Sequence, residues 1–142
     1  MKRPDLGYYL SMINSIVTDT EQTGTQLNDA FEEVKGAIER KEIASFDDAR
    51  RMEIVELFQT GTDKYRLMLE QISKLQPPAR ILGNHKKFEH AYKSYVAGCE
   101  EMILSLEDGI DVETFYAAEE KQDQATDAIA AAIQKMTQVM VK

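Results

Sequence analysis

Apolar residues in this chain step by three and four along most of its length. The first ladder runs Leu6, Leu10, Ile13, Val17, Thr20, Gly24, Leu27, Phe31, Val34, Ile38. A later one runs Ile81, His85, Phe88, Tyr92, Tyr95, Cys99, Met102, Leu106. Residues spaced in this way line one stripe of an α-helix, and a sustained 3–4 alternation is the seam along which helices of a bundle meet. The spacing predicts an all-α fold, an antiparallel up-and-down four-helix bundle. With 142 residues, the chain reads as one domain, 1–142, large enough to bury a core without disulfides.

The punctuation between ladders sets the expected helix ends. Segment one spans about Asp5 to Arg40, with Asp5 after Pro4 as cap. Segment two spans about Phe46 to Leu75, opened by a capping-box-like Ser45 and Asp48, with Asp47 adding favourable charge. Pro77-Pro78 ends it, and Pro78 opens segment three, which runs to Asp108 with Gly109 as left-handed cap. Asp111 caps segment four, which continues through Phe115, Ile129, Ile133, Met136 and Met140. Connections of about five residues or fewer force neighbouring helices to run antiparallel.

Folding these segments against one another predicts which residues share a layer. Leu10 meets Met136, Val17 meets Ile129, Thr20 meets Thr126 and Gly24 meets Gln122, while Thr62 lies near Tyr92 and Phe58 near Tyr95. The ends of the bundle are then apolar and the middle polar, gathering Thr20, Thr23, Gly24, Thr62, Tyr65, Tyr92, Tyr95, Gln122 and Thr126. Buried hydroxyls and amides need partners. One reading of this layer is a hydrogen-bonded network that fixes helix register. The other is a pocket for a small ligand, with Thr20, Thr62, Tyr65, Tyr92, Tyr95, Gln122 and Thr126 as its walls.

Composition narrows the function classes. The formal charge of −8 disfavours a nucleic-acid partner, which needs a basic face. Residues 5–40 carry seven acids (Asp5, Asp19, Glu21, Asp29, Glu32, Glu33, Glu39) against Lys35 and Arg40. Neither an apolar leader nor a membrane span is seen, so the expected location is cytoplasmic. The single Cys99 lies on the third ladder and reads as a small buried hydrophobe.

Little in the sequence points to catalysis, and no cofactor or metal is expected. His85 and His90 lack the Glu-x-x-His spacing of bundle metal sites. His85 reads instead as a hydrogen-bonded residue under the Pro-Pro turn, with Glu89 one turn on. Glu119, on the inner stripe, has no nucleophile or matched carboxylate beside it. Gly24, Gly61 and Gly98 sit inside helices, where close approach or a kink is the usual reason.

The turn Leu75-Gln76-Pro77-Pro78, followed by His85 and the Phe88, Tyr92, Tyr95 stripe, resembles a hairpin in small four-helix-bundle proteins of Gram-positive bacteria. The resemblance spans about 30 residues of packing and turn positions. It implies a bundle of bacterial origin and carries no catalytic residue across. Some of those proteins are lipid-anchored at the cell surface. This sequence shows no lipidation cysteine near its start, so that location is not carried over.

The leading expectation is a non-enzymatic interaction or adaptor bundle with a protein partner, able to form a homodimer. Tyr8, Met12, Val96, Ile103 and Tyr116 fall outside the main stripes as candidate contact residues, and the Ala128–Ala132 face is small enough for close approach of a second bundle. A small-molecule binding or sensing bundle built on the polar middle is the alternative. An acidic inhibitor or immunity-type protein for a basic partner is a third reading, from charge alone.

Overall fold

The computed structural model describes residues 6–141, with the side chains of residues 140 and 141 left aside. The described residues form an all-α four-helix bundle: α1 (Leu6–Glu39), α2 (Asp48–Lys74), α3 (Leu82–Glu107) and α4 (Val112–Val141). Single 3₁₀ turns at Ile43–Ser45 and Ala79–Ile81 interrupt the first two connections. At 1.5 Å per residue the helices are about 40–50 Å long.

The helix ends follow local chemistry. α1 closes with Glu42 N–H donating to Ala37 C=O (2.9 Å) and Lys41 N–H to Ile38 C=O (3.1 Å). This Schellman pattern places Lys41 at φ 57°, where glycine is usual. The cap of α2 is Asp47, whose carboxylate accepts from Ala49 N–H at 3.3 Å. Ser45, expected to open that helix, belongs to the preceding 3₁₀ turn and bonds back to Glu42 C=O. Asp111 caps α4 as expected, accepting from both the N–H and the hydroxyl of Thr114. Those bonds hold the Asp111 carboxyl below its usual range. Gly109 takes φ 126° in the α3–α4 turn. The expected cap Asp5 lies outside the described residues.

The core divides into two clusters. One gathers Tyr9, Ile13, Ile16, Met68, Ile72, Phe88, Tyr92 and Met136 at the end holding the start of α1. The other gathers Ala30, Val34, Ile54, Phe58, Met102, Leu106 and Phe115 at the opposite end. Tyr65, Tyr92 and Tyr95, expected in a separate polar middle, pack with the first cluster, and Thr126 is exposed.

The pair α3–α4 packs through small residues. Ala91, Gly98 and Ser105 recur every seven positions on α3, as do Ala118, Ala125 and Ala132 on α4, and all six are buried. Such seams let helix backbones come close, because interaxial distance is set by the side chains between them. At Gly98 an added methyl carbon would stand 2.9 Å from Gln122 Cγ and 3.3 Å from Gln122 N. Close approach is therefore why a glycine occupies this helix interior.

Consecutive helices approach closely, whereas α1 and α4 meet mainly through long side chains. The burial of α1 reflects this. Tyr9, Ile16, Thr23, Ala30 and Ala37 are buried, but Leu10, Val17, Gly24 and Phe31 are only half-buried. The expected seam is thus turned by one flank toward a gap, because α4 stands off from α1.

Two further expectations need correction. Tyr65 lies against Tyr95, with ring centroids 5.1 Å apart, and Tyr92 bonds Met68. The α2–α3 pairing is therefore displaced by six or seven residues from the Phe58–Tyr95 and Thr62–Tyr92 expectation. The extended Leu75–Pro78 stretch and the 3₁₀ turn after it move the hairpin centre beyond the proline pair. Val96 and Ile103, read as surface candidates, are buried core residues. They sit on the α3 face that closes against the rest of the bundle.

Candidate functional site

The α1–α4 seam is bridged at both ends and open between them. At one end the Tyr9 hydroxyl lies 3.2 Å from Met136 Sδ and 2.7 Å from His85 Nδ1. At the other, Phe31 stacks on Phe115 with centroids 5.3 Å apart. There Lys35 Nζ also donates to Glu119 Oε2 at 2.7 Å. Between these clamps lie two adjoining cavities that share Gly24 and Tyr95 as walls.

The first cavity is a chamber of about 210 Å³ whose walls are mostly apolar with several polar groups among them. Asn28, Thr62, Tyr65, Tyr95, Cys99 and Gln122 line it, with Leu27, Phe31, Phe58 and Met102 as apolar walls and Glu119 and Asp123 among its carboxylates. The second is a channel of about 500 Å³ along Val17, Phe88, Ile129, Ala130 and Ile133. Thr20, Tyr92 and Thr126 supply its hydroxyls, and Glu21 and Gln134 also border it.

All seven residues predicted from sequence fall on these walls. Thr62, Tyr65, Tyr95 and Gln122 face the chamber, while Thr20, Tyr92, Tyr95 and Thr126 face the channel. The polar layer is mostly satisfied within single helices, since Thr20, Thr23 and Thr126 each donate to the carbonyl four residues back. Few bonds cross between helices. Tyr92 and Thr20 hydroxyls meet at 2.8 Å, Gln122 Nε2 donates to Gly98 C=O at 3.1 Å, and Tyr95 and Tyr65 hydroxyls stand 3.4 Å apart. Met68 Sδ lies 3.2 Å from both hydroxyls of the Thr20–Tyr92 pair, so either of the two can be the donor between them. Among the described residues, no fully enclosed side-chain nitrogen or oxygen lacks a partner.

Burial governs the electrostatics. It pushes the Tyr65 phenol and the Cys99 thiol each up to about 12, and raises Tyr92 and Tyr95 as well. These groups are neutral at pH 7, and a thiol so shifted is a poor nucleophile. The formal charges among the lining residues are all carboxylates: Glu21, Glu119 and Asp123.

His85 is buried at the clamp, outside both cavities. Desolvation lowers its pKa, opposed by Glu89 and by a hydrogen bond to Ile72 C=O. Glu89, expected beside His85, bonds the Ser73 hydroxyl at 2.7 Å. Among the described residues no group of three or more His, Cys, Asp or Glu side chains is placed to hold a metal ion.

Sequence reasoning missed Asn28 and Glu21 on the walls, and it treated Phe31 and Ile133 as closed core. The usable signal was Gly24, a helix-interior glycine flanked at i±4 by polar Thr20 and Asn28. It also missed Arg51, a buried cation on α2 that donates to the last carbonyls of α3, Leu106 and, at 2.9 Å, Glu107. Nothing in its spacing announced that contact.

No protein-family model, curated protein or solved structure matches the chain. Among the described residues no helix is long and apolar enough to cross a membrane.

Proposed function

We propose that this bundle binds a small, elongated molecule in the α1–α4 cleft, as a carrier or sensor rather than a catalyst. The observation that carries this reading is a seam clamped at both ends and hollow in the middle. Its mixed chamber continues into a more apolar channel. Ligand sites commonly occupy a few hundred Å³, mostly apolar with a few convergent polar groups, and lie between helices of bundles. A filled centre would instead have favoured a purely structural polar layer. Native mass spectrometry on protein purified gently from its own host tests this. Added mass that survives gentle ionisation and vanishes on denaturation supports binding, and Gly24→Phe should abolish it. A clean apo mass, together with no thermal stabilisation by any compound in an amphiphile panel, would refute it.

The interaction reading retains one specific support. On the outer α3–α4 face a groove of about 670 Å³ runs over Ala91, Ser94, Ala125, Ala128 and Ala131, bordered by Lys86, Lys87, His90, Lys121 and Lys135. Ala132 is already used against α3, so the expected small face is only partly free. The basic border complements the acidic α1 of a second copy. Salt-sensitive self-association in sedimentation supports this reading. A monomer at high concentration and low salt refutes it.

A further inference from the structure

The charge around the cleft restricts what can enter it. α1 carries no lysine or arginine from residue 6 to residue 34, while Asp19, Glu21, Asp29, Glu32 and Glu33 lie within that stretch. On α4 the cleft walls add Glu119 and Asp123. The nearest base on α1, Lys35, is already engaged by Glu119 at 2.7 Å and sits over the Phe31 ring at 5.7 Å. Lys121, the one base in the first part of α4, is turned to Glu101 on α3 at 3.2 Å. None of the lining residues of either cavity is basic. An anionic head would therefore meet carboxylates, and the one cation at the chamber among the described residues, Lys35, is already paired with Glu119.

A cationic head finds the reverse. Tyr65 and Tyr95 meet edge to face in the chamber, and Phe31 and Phe58 also line it. Aromatic faces attract cations through their quadrupole, more strongly once water is excluded. Gln122 holds its carboxamide oxygen available, since its Nε2 is committed to Gly98 C=O. The adjoining channel offers Val17, Phe88, Ile129 and Ile133 to an apolar arm.

Resting on the ligand-binding reading above, we propose that the cleft selects an amphiphile with an ammonium-type cationic head, seated in the chamber, and an apolar arm in the channel. The same walls disfavour carboxylate and sulfate amphiphiles.

The test is isothermal titration of the full chain with octyltrimethylammonium, octanoate and 1-octanol, each below its aggregation threshold. The expected order is ammonium tightest, octanol weaker, and octanoate at least tenfold weaker than the ammonium. Glu119→Gln with Asp123→Asn should weaken the ammonium about tenfold and octanol far less. It also frees Lys35, so octanoate should tighten. Gly24→Phe and, as a surface-lying second block, Ala130→Trp should each abolish binding of the ammonium. Octanoate binding as tightly as the ammonium overturns the charge selection while the cleft reading stands. If none of the three binds, the cleft reading itself falls. Binding untouched by both blocking variants places the site elsewhere and overturns both.

Discussion

The same substitution at two helix-interior glycines should act in opposite directions. Replacing glycine by alanine inside a helix gains about 1 kcal/mol from backbone entropy alone. At Gly24 a new methyl carbon has a single neighbour in range, the Tyr65 hydroxyl oxygen at 3.7 Å, an ordinary contact. Gly24→Ala should therefore stabilise by about 0.5–1 kcal/mol. At Gly98 the methyl carbon would lie 2.9 Å from Gln122 Cγ, 3.3 Å from Gln122 N and 3.5 Å from Ala118 C=O. The Gln122 side chain is tethered to Gly98 C=O, and its backbone cannot retreat without moving α4. Overpacking of this kind costs about 1–3 kcal/mol, which outweighs the helix gain. Gly98→Ala should destabilise by about 1 kcal/mol, leaving the two variants roughly 2 kcal/mol apart. For a chain of this size that is about 4–8 °C in Tm. Urea unfolding followed by far-UV circular dichroism gives both midpoint and slope. A stable Gly98→Ala would refute the close α3–α4 approach, and a clearly destabilised Gly24→Ala would refute the space in the cleft.

Two other predictions concern the ends of the bundle. His85 accepts from Tyr9 in its neutral form, and burial lowers its pKa, so the unfolded chain binds the proton more readily than the native one. Stability from this residue is present above its unfolded pKa near 6.5 and is lost as pH falls toward the lower folded value. Urea midpoints between pH 7.5 and 5.5 should drop more for the wild type than for His85→Asn, and parallel curves would contradict the assignment. Arg51→Met keeps the apolar stem but leaves the α3 carbonyls of Leu106 and Glu107 without their donor. A loss of about 2–3 kcal/mol is expected in the same assay, and a change below about 0.5 kcal/mol would show that the contact is dispensable.

The sequence alone determined the helices and their connectivity. The 3–4 ladders, Asp111, Gly109 and the Pro77-Pro78 pair are local signals, and each acts within a few residues of where it stands. The third ladder was nearly complete as read, with only Tyr95 left half-buried. The register of α1 against α4 was also legible, because antiparallel connectivity fixes which of their residues share a level. Tyr9 against Met136 and Phe31 against Phe115 fall close to the expected pairing.

The tertiary structure alone decided which flank of α1 is buried. Periodicity cannot distinguish a seam at Leu10, Val17, Gly24 and Phe31 from one at Tyr9, Ile16, Thr23 and Ala30, since both share Ile13, Thr20, Leu27 and Val34. The choice depends on spacing between helices. The heptad of small residues draws α3 and α4 together, while the large side chains at the clamps hold α4 away from α1. Residues that would have closed a tighter bundle become the walls of a cleft. Spacing of this kind is a property of four helices packed at once, and no single segment encodes it.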